Sequence, residues 1–181
     1  MPFTPFHFGA GALVHAAAPR RVSFLAFCAA NVLIDVEPLA CMLRGEVPVH
    51  RFAHTYVGAV LVALVTIGLW AGAAKAAPAL RLPDVLGWRR LTAPAVALGA
   101  LLGSVSHVLL DSVMHTDLRP FAPWSDANPL YGVVGLDALL GGCAVAALVG
   151  IVVTAVRHFR ADSRATGAVA DRASHLGRDP R

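Results

Sequence analysis

Residues 92–111 read TAPAVALGALLGSVSHVLLD. The run carries no charge until its last residue, and its length is what a helix needs to cross a hydrocarbon core of about 30 Å. Apolar and polar residues do not alternate along it, and it is too long for a membrane strand. It therefore reads as a transmembrane helix with a histidine and an aspartate close to one end. Three other runs match it in length and character: VSFLAFCAANVLIDVEPLACML at 22–43, TYVGAVLVALVTIGLWAGAA at 55–74 and YGVVGLDALLGGCAVAALVGIVVTAV at 131–156. Their glycines and alanines suit close helix–helix contact in lipid.

The composition agrees. Of 181 residues, 57% are apolar and 14% charged, against about 25% charged in an ordinary soluble domain. Mean hydropathy is +0.66. A soluble chain this small could not hide so much apolar surface, so a soluble globular enzyme is excluded as the starting assumption. A disordered or disulfide-stapled chain is excluded as well. Cys28, Cys41 and Cys143 all fall in apolar runs without a C-x-x-C pair, and read as buried space-fillers. The expected fold is an all-α integral membrane bundle of four long transmembrane helices. A shorter apolar piece, Phe6–Ala18, adds a short or tilted N-terminal helix. It is not a signal peptide, because no basic segment precedes it and Pro19-Arg20-Arg21 follows directly.

The net charge is +4, yet the bases are not clustered as a nucleic-acid footprint requires, so no nucleic-acid partner is expected. Arg20 and Arg21, then Lys75, Arg81, Arg89 and Arg90, then the arginine-rich tail all fall on one side if the chain alternates. Arg44, Arg51 and Arg119 fall on the other. The positive-inside rule then puts the first group and the C-terminus in the cytoplasm. A bacterial inner, or plasma, membrane is the expected location, with the lipid bilayer as an expected partner. Residues 1–156 are read as the membrane-embedded domain, with 76–91 as a cytoplasmic linker and 157–181 as a disordered tail poor in large apolar residues.

The ionisable residues collect on the opposite, outward side. Asp35, Glu37, Glu46, Asp111, Asp117, Asp126 and Asp137 lie there, as do His7, His50, His54, His107 and His115. Asp35, Glu37, Asp111 and Asp137 sit inside apolar runs, where an unpaired charge costs at least about 2.5 kcal/mol on insertion scales. A shared cation accounts for all of them, since it neutralises carboxylates and takes neutral imidazoles as ligands.

His107 and Asp111 are spaced i,i+4 and share a helix face, and His115 extends the stripe by a turn if the helix persists. Such a pair can chelate one metal or bridge two; a hydrogen bond that merely steadies the helix is the alternative. His50 and His54, in HRFAH, have the same spacing, although Arg51 stands where a zincin would carry its glutamate. Arg51 reads either as a contact to an anionic substrate or carboxylate, or as a plain loop residue. In IDVEP, Pro38 biases Glu37 out of helical geometry, and a broken helix can aim Asp35 and Glu37 at one cavity. Asp35 is the stronger ligand candidate. His7 lies at the same height as these groups, either as a ligand or as a satisfied interface residue. Asp137 reads as an outer partner of the ligands, and Asp117 belongs to the proline-rich outer loop.

Taken together, PFT..H, D-x-E-P, H-R-x-x-H-T and S-H-x-x-L-D, followed by a proline-rich loop, resemble a family of small bacterial inner-membrane metal-dependent hydrolases. That family is distantly similar to zinc-dependent phospholipase C and the single-strand nucleases. The similarity covers roughly residues 1–137. It implies His7, Asp35, His50 or His54, His107 and Asp111 as metal ligands. The acidic pair here is Asp-Val-Glu, where related members often have two aspartates. The reaction expected from the resemblance is hydrolysis of a phosphoester of a lipid or envelope component by a centre of one to three divalent ions, zinc first, with an amphiphilic phosphoester substrate as the second expected partner. Asp111 would ligate or bridge, and Glu37 would accept a proton from water. The alternative is a non-catalytic metal-binding protein or an ion or proton carrier. Oligomeric state is not legible.

Overall fold

Polar residues between the apolar runs set where helices begin. Ser23 caps α2 (Phe24–Ile34), its hydroxyl accepting the Ala26 N–H at 3.2 Å. Thr55 caps α4 (Tyr56–Leu80), accepting the Gly58 N–H at 2.9 Å. Pro94 opens α5 (Ala93–Met114), in a first turn where a missing N–H breaks no helical bond. The computed structural model describes residues 4–176, with side chains at 5–161 and at Ser163. The other helices are α1 (Thr4–Ala17), α3 (Val36–Arg44) and α6 (Leu136–Leu176), with two 3-10 turns at Phe52–His54 and Val85–Arg90. No strand occurs among the described residues.

Four segments are long and apolar enough to cross a membrane: Phe24–Arg44 (α2 and α3 together), Tyr56–Leu80, Ala93–Met114 and Leu136–Ala161. With the short α1, this is the all-helical architecture expected from the sequence. Leu61, Leu64 and Leu69 on α4 and Val145, Leu148 and Ile151 on α6 point away from the bundle. In water each would forgo roughly 1.5–3 kcal/mol of burial, and so extensive an apolar exterior belongs against lipid.

α5 is the central helix, packed between α2 and α4, while α1 lies mainly on α6. Its buried residues include Ala95, Gly99, Gly103, His107 and Asp111, a single stripe at i+4 spacing. The glycines let α2 approach so closely that a Cβ on Gly103 would stand 2.5 Å from the Phe27 carbonyl oxygen. The stripe that draws the two helices together thus ends in the two ionisable residues. At the same end of the bundle, Ile34, Ala59, Val108 and Leu118 form one apolar cluster. Ala26, Ala30, Ala63, Val96 and Ala100 form another, farther down the bundle.

Three boundaries differ from the sequence reading. The first long run breaks at Asp35, not at Glu37. Pro38 is instead tolerated in the first turn of α3, where its missing N–H was not needed. α4 runs on to Leu80 with Pro78 inside its last turn, so the linker begins later than residue 76. The segment expected to be a disordered tail continues α6 as far as Leu176. Alanine and arginine are good helix formers, and extending an existing helix needs no new nucleus. Residues 177–181 of that tail lie outside the described residues.

Candidate metal centre

The C-terminal ends of α2 and α5, the N-terminal ends of α1 and α4 and the turn before α4 meet at one end of the bundle. There His7, His54, His107 and Asp111 are all buried. His54 Nε2 lies 3.4 Å from Asp111 Oδ2 and 3.6 Å from Asp35 Oδ1. His107 Nε2 lies 3.2 Å and 3.3 Å from the same two oxygens. The ligand atoms of Asp35, His54, His107 and Asp111 all fall within 4.8 Å of one another.

These separations discriminate between the two readings of the cluster. Charge-assisted N–H···O bonds run to about 2.7–2.9 Å and are aligned. Here His54 Nδ1 and His7 Nδ1 are buried with no hydrogen-bond partner among the described residues, and His7 Nε2, His54 Nε2 and His107 Nε2 face carboxylate oxygens without the alignment of a hydrogen bond. Each such group forfeits about 1–3 kcal/mol. Donors about 2.0–2.2 Å from a shared tetrahedral ion stand about 3.3–3.6 Å apart along the tetrahedron's edges. The four measured N–O edges, 3.2 to 3.6 Å, match that geometry. Two imidazoles and two carboxylates could therefore hold a divalent ion.

The second layer prepares the rings. Asn31, buried on α2, donates from Nδ2 to the Phe27 carbonyl at 2.9 Å. That fixes which end of the amide faces His107, whose Nδ1 is 3.0 Å from Asn31 Oδ1. An amide oxygen only accepts, so His107 carries its proton on Nδ1 and presents a bare Nε2 to the carboxylates. Sequence reading missed Asn31. Its signal was an amide in the middle of a membrane run, where unsatisfied polar groups are costly.

His7 stacks on His107 with ring centroids 4.2 Å apart, and its Nε2 sits 3.1 Å from Asp111 Oδ1. It meets the carboxylate oxygen facing away from His54 and His107, and is not in the four-ligand set. His50 packs between His54 and His115, with centroid distances of 4.8 and 4.2 Å. Its Nδ1 lies 2.9 Å from Asp117 Oδ1 and 3.1 Å from Oδ2. Burial would raise the Asp117 pKa, but the hydrogen bonds from His50 outweigh it and the net shift is downward. Burial lowers the pKa of His115, favouring its neutral, ligating form. Burial also works against a proton on His54, but the neighbouring carboxylates of Asp111 and Asp35 prevail and raise its pKa. A pocket that draws protons this way draws cations too.

The remaining candidates go elsewhere. Glu37 Oε2 accepts the Ala53 N–H at 2.7 Å, tying α3 to the turn that carries His54. This contact positions the turn. Arg51 is half exposed and pairs with Glu46 at 2.7 Å within its own loop, so it does not reach the cluster. Asp137 is exposed in the first turn of α6, where an acid suits the helix dipole, and makes no ion pair among the described residues. Asn128 donates to the carbonyls of Ser112 at 2.9 Å and His115 at 3.2 Å, folding the proline-rich loop back on the end of α5.

No curated protein and no solved structure matches the chain. Residues 1–176 match the family described as a domain of unknown function, DUF4184, and the chain belongs to that family.

Proposed function

We propose that this protein is a membrane-bound, metal-dependent hydrolase that cleaves a phosphoester of a lipid or envelope component. The observation that carries the metal is the pair of buried imidazole nitrogens, His54 Nε2 and His107 Nε2, that face Asp35 and Asp111 oxygens at 3.2–3.6 Å without the alignment of hydrogen bonds. The reaction class is supported by the motif resemblance described above. The mixed nitrogen and oxygen donor set suits zinc, and a divalent ion in this centre with a coordination position left open would supply Lewis-acid charge at a phosphoryl oxygen and acidify water.

The chain's own residues do the rest. Asn31 fixes the His107 tautomer, His7 sits against the outer oxygen of Asp111, and Glu37 holds the His54 turn in place. In the hydrolysis, a water oxygen bonds to phosphorus as the bond to the leaving alcohol breaks, and the water's proton ends on that alcohol. The cluster sits at one end of the membrane-spanning helices, the depth at which a lipid headgroup lies. The positive-inside distribution of arginine turns that end outward from a bacterial inner membrane.

The carrier reading is less well supported. A translocation path needs polar groups through the bundle, and the region below the site is filled by Ala26, Ala30, Ala63, Val96 and Ala100. The deciding experiment assays the full chain in nanodiscs against phospholipids and phosphodiester analogues. Metal-dependent turnover that is lost in His107→Ala supports the proposal. Metal-loaded protein with no turnover, but with cation or proton flux in liposomes, overturns it in favour of the carrier.

A further inference from the structure

Asp111 belongs to two groups of convergent ligands. Besides the buried set, the ligand atoms of His50, Asp111 and His115 lie within 4.8 Å of one another. We infer a second divalent-cation site at His50, Asp111 and His115, joined to the first through the Asp111 carboxylate. The inference rests on the metal-centre reading above and extends it.

Three features support it. Asp117 engages Nδ1 of His50 with both carboxylate oxygens and also takes the His50 backbone N–H at 3.4 Å. The ring is thereby anchored, and Nε2 is the nitrogen left to ligate. A carboxylate on the far nitrogen of a ligating histidine is the usual support of a metal site. Next, the His50 and His115 rings are only 4.2 Å apart and tilted by 36°, although they come from different loops. Two imidazoles brought together beside a carboxylate make a chelating face, whereas a packing role would be met by apolar side chains. Finally, the two groups differ in closure. The first offers four protein ligands in a buried setting, the pattern of a closed site. The second offers three, with His50 and His115 only partly buried, the pattern that leaves a coordination position open. The inner ion would organise Asp111, and the outer one would meet substrate.

The test counts ions. Purified full-length protein in detergent is equilibrated with Zn²⁺, desalted and analysed for metal per chain. A second preparation is loaded with Mn²⁺ and examined by electron paramagnetic resonance. Two ions in the wild type, one in His115→Ala and in His50→Ala, and spin coupling between the two Mn²⁺ ions would support the inference. Asp117→Asn should weaken only the second binding step, by about 10–100-fold. One ion in the wild type, unchanged in His115→Ala, overturns the second site and leaves the first standing. Two ions in both the wild type and His115→Ala place the second ion elsewhere and also overturn it. No ion in the wild type sinks both readings. His107→Ala separates the sites, because it removes an inner ligand and leaves the outer three. Thermal melts of each variant confirm that a lost ion is not a lost fold.

Discussion

Asn31 carries no charge and lies 76 positions from His107 in the chain, yet it decides which nitrogen of that ring meets the carboxylates. Asn31→Leu keeps the volume and removes the acceptor. The His107 proton is then free to move to Nε2, where it competes with the ion. The expected outcome is a metal affinity lower by about 10–100-fold, measured by competition with a chelating dye, with the helical circular dichroism spectrum preserved. Unchanged affinity would mean that the tautomer is held some other way. At this scale the sequence was partly legible. His107 and Asp111 followed from i,i+4 spacing, and Asp35 from its position inside an apolar run. Asn31 was hidden because its partner is distant in the chain and amides carry no charge to draw attention. Glu37 and Arg51 lie outside the four-ligand set, and for Arg51 the structure selects one of the readings the sequence left open, a pair with a carboxylate in its own loop. Glu37 holds the Ala53 N–H, and Arg51 holds Glu46.

At the scale of elements, the α2–α5 crossing positions the site. Gly103 lies one helical turn below His107, and a Cβ there would meet the Phe27 backbone at 2.5 Å and Asn31 Nδ2 at 3.1 Å. Backbone cannot yield as a flexible side chain can, so Gly103→Ala must push α2 away and carry Asn31 with it. A destabilisation of about 1–3 kcal/mol is expected, together with weakened metal binding, read from thermal melts with and without metal. Gly72→Ala on α4 meets nothing within 4 Å and serves as the control, with no loss expected. If both variants behave alike, close approach at Gly103 is not what holds the crossing. The transmembrane runs were legible from length and hydropathy. The break at Asp35 was displaced in the sequence reading because Pro38 marks the first turn of a new helix as readily as the end of an old one. The extent of α6 was missed because a polar composition was read as absence of structure, although alanine and arginine favour helix.

For the whole molecule, the buried acids gather at one end and most of the bases at the other. The Arg157 guanidinium donates to the Ala16 carbonyl, and His15 Nδ1 lies 2.7 Å from the Val22 carbonyl oxygen, at the end opposite the cluster. If the arginine-bearing end is cytoplasmic, a cysteine at the exposed Trp124 should label with a membrane-impermeant maleimide in intact cells. A cysteine at Lys75 should label only after the membrane is opened. The test uses a background in which the native cysteines are replaced. The reverse pattern would place the centre inside the cell and remove envelope components as substrates. Composition alone made the membrane fold legible. Which helices are neighbours was not legible, because the contacts of α1 with α6 and of α2 with α5 depend on small residues whose partners lie far away in the chain.

The central claim is that Asp35, His54, His107 and Asp111 meet because they hold a divalent ion. Anomalous diffraction at the zinc edge, on crystals grown from the zinc-loaded full chain, tests it most directly. The account predicts a peak among these four side chains, with nitrogen and oxygen donors at about 2.0–2.2 Å. Zinc bound only elsewhere, with the four side chains joined by direct hydrogen bonds, would contradict it.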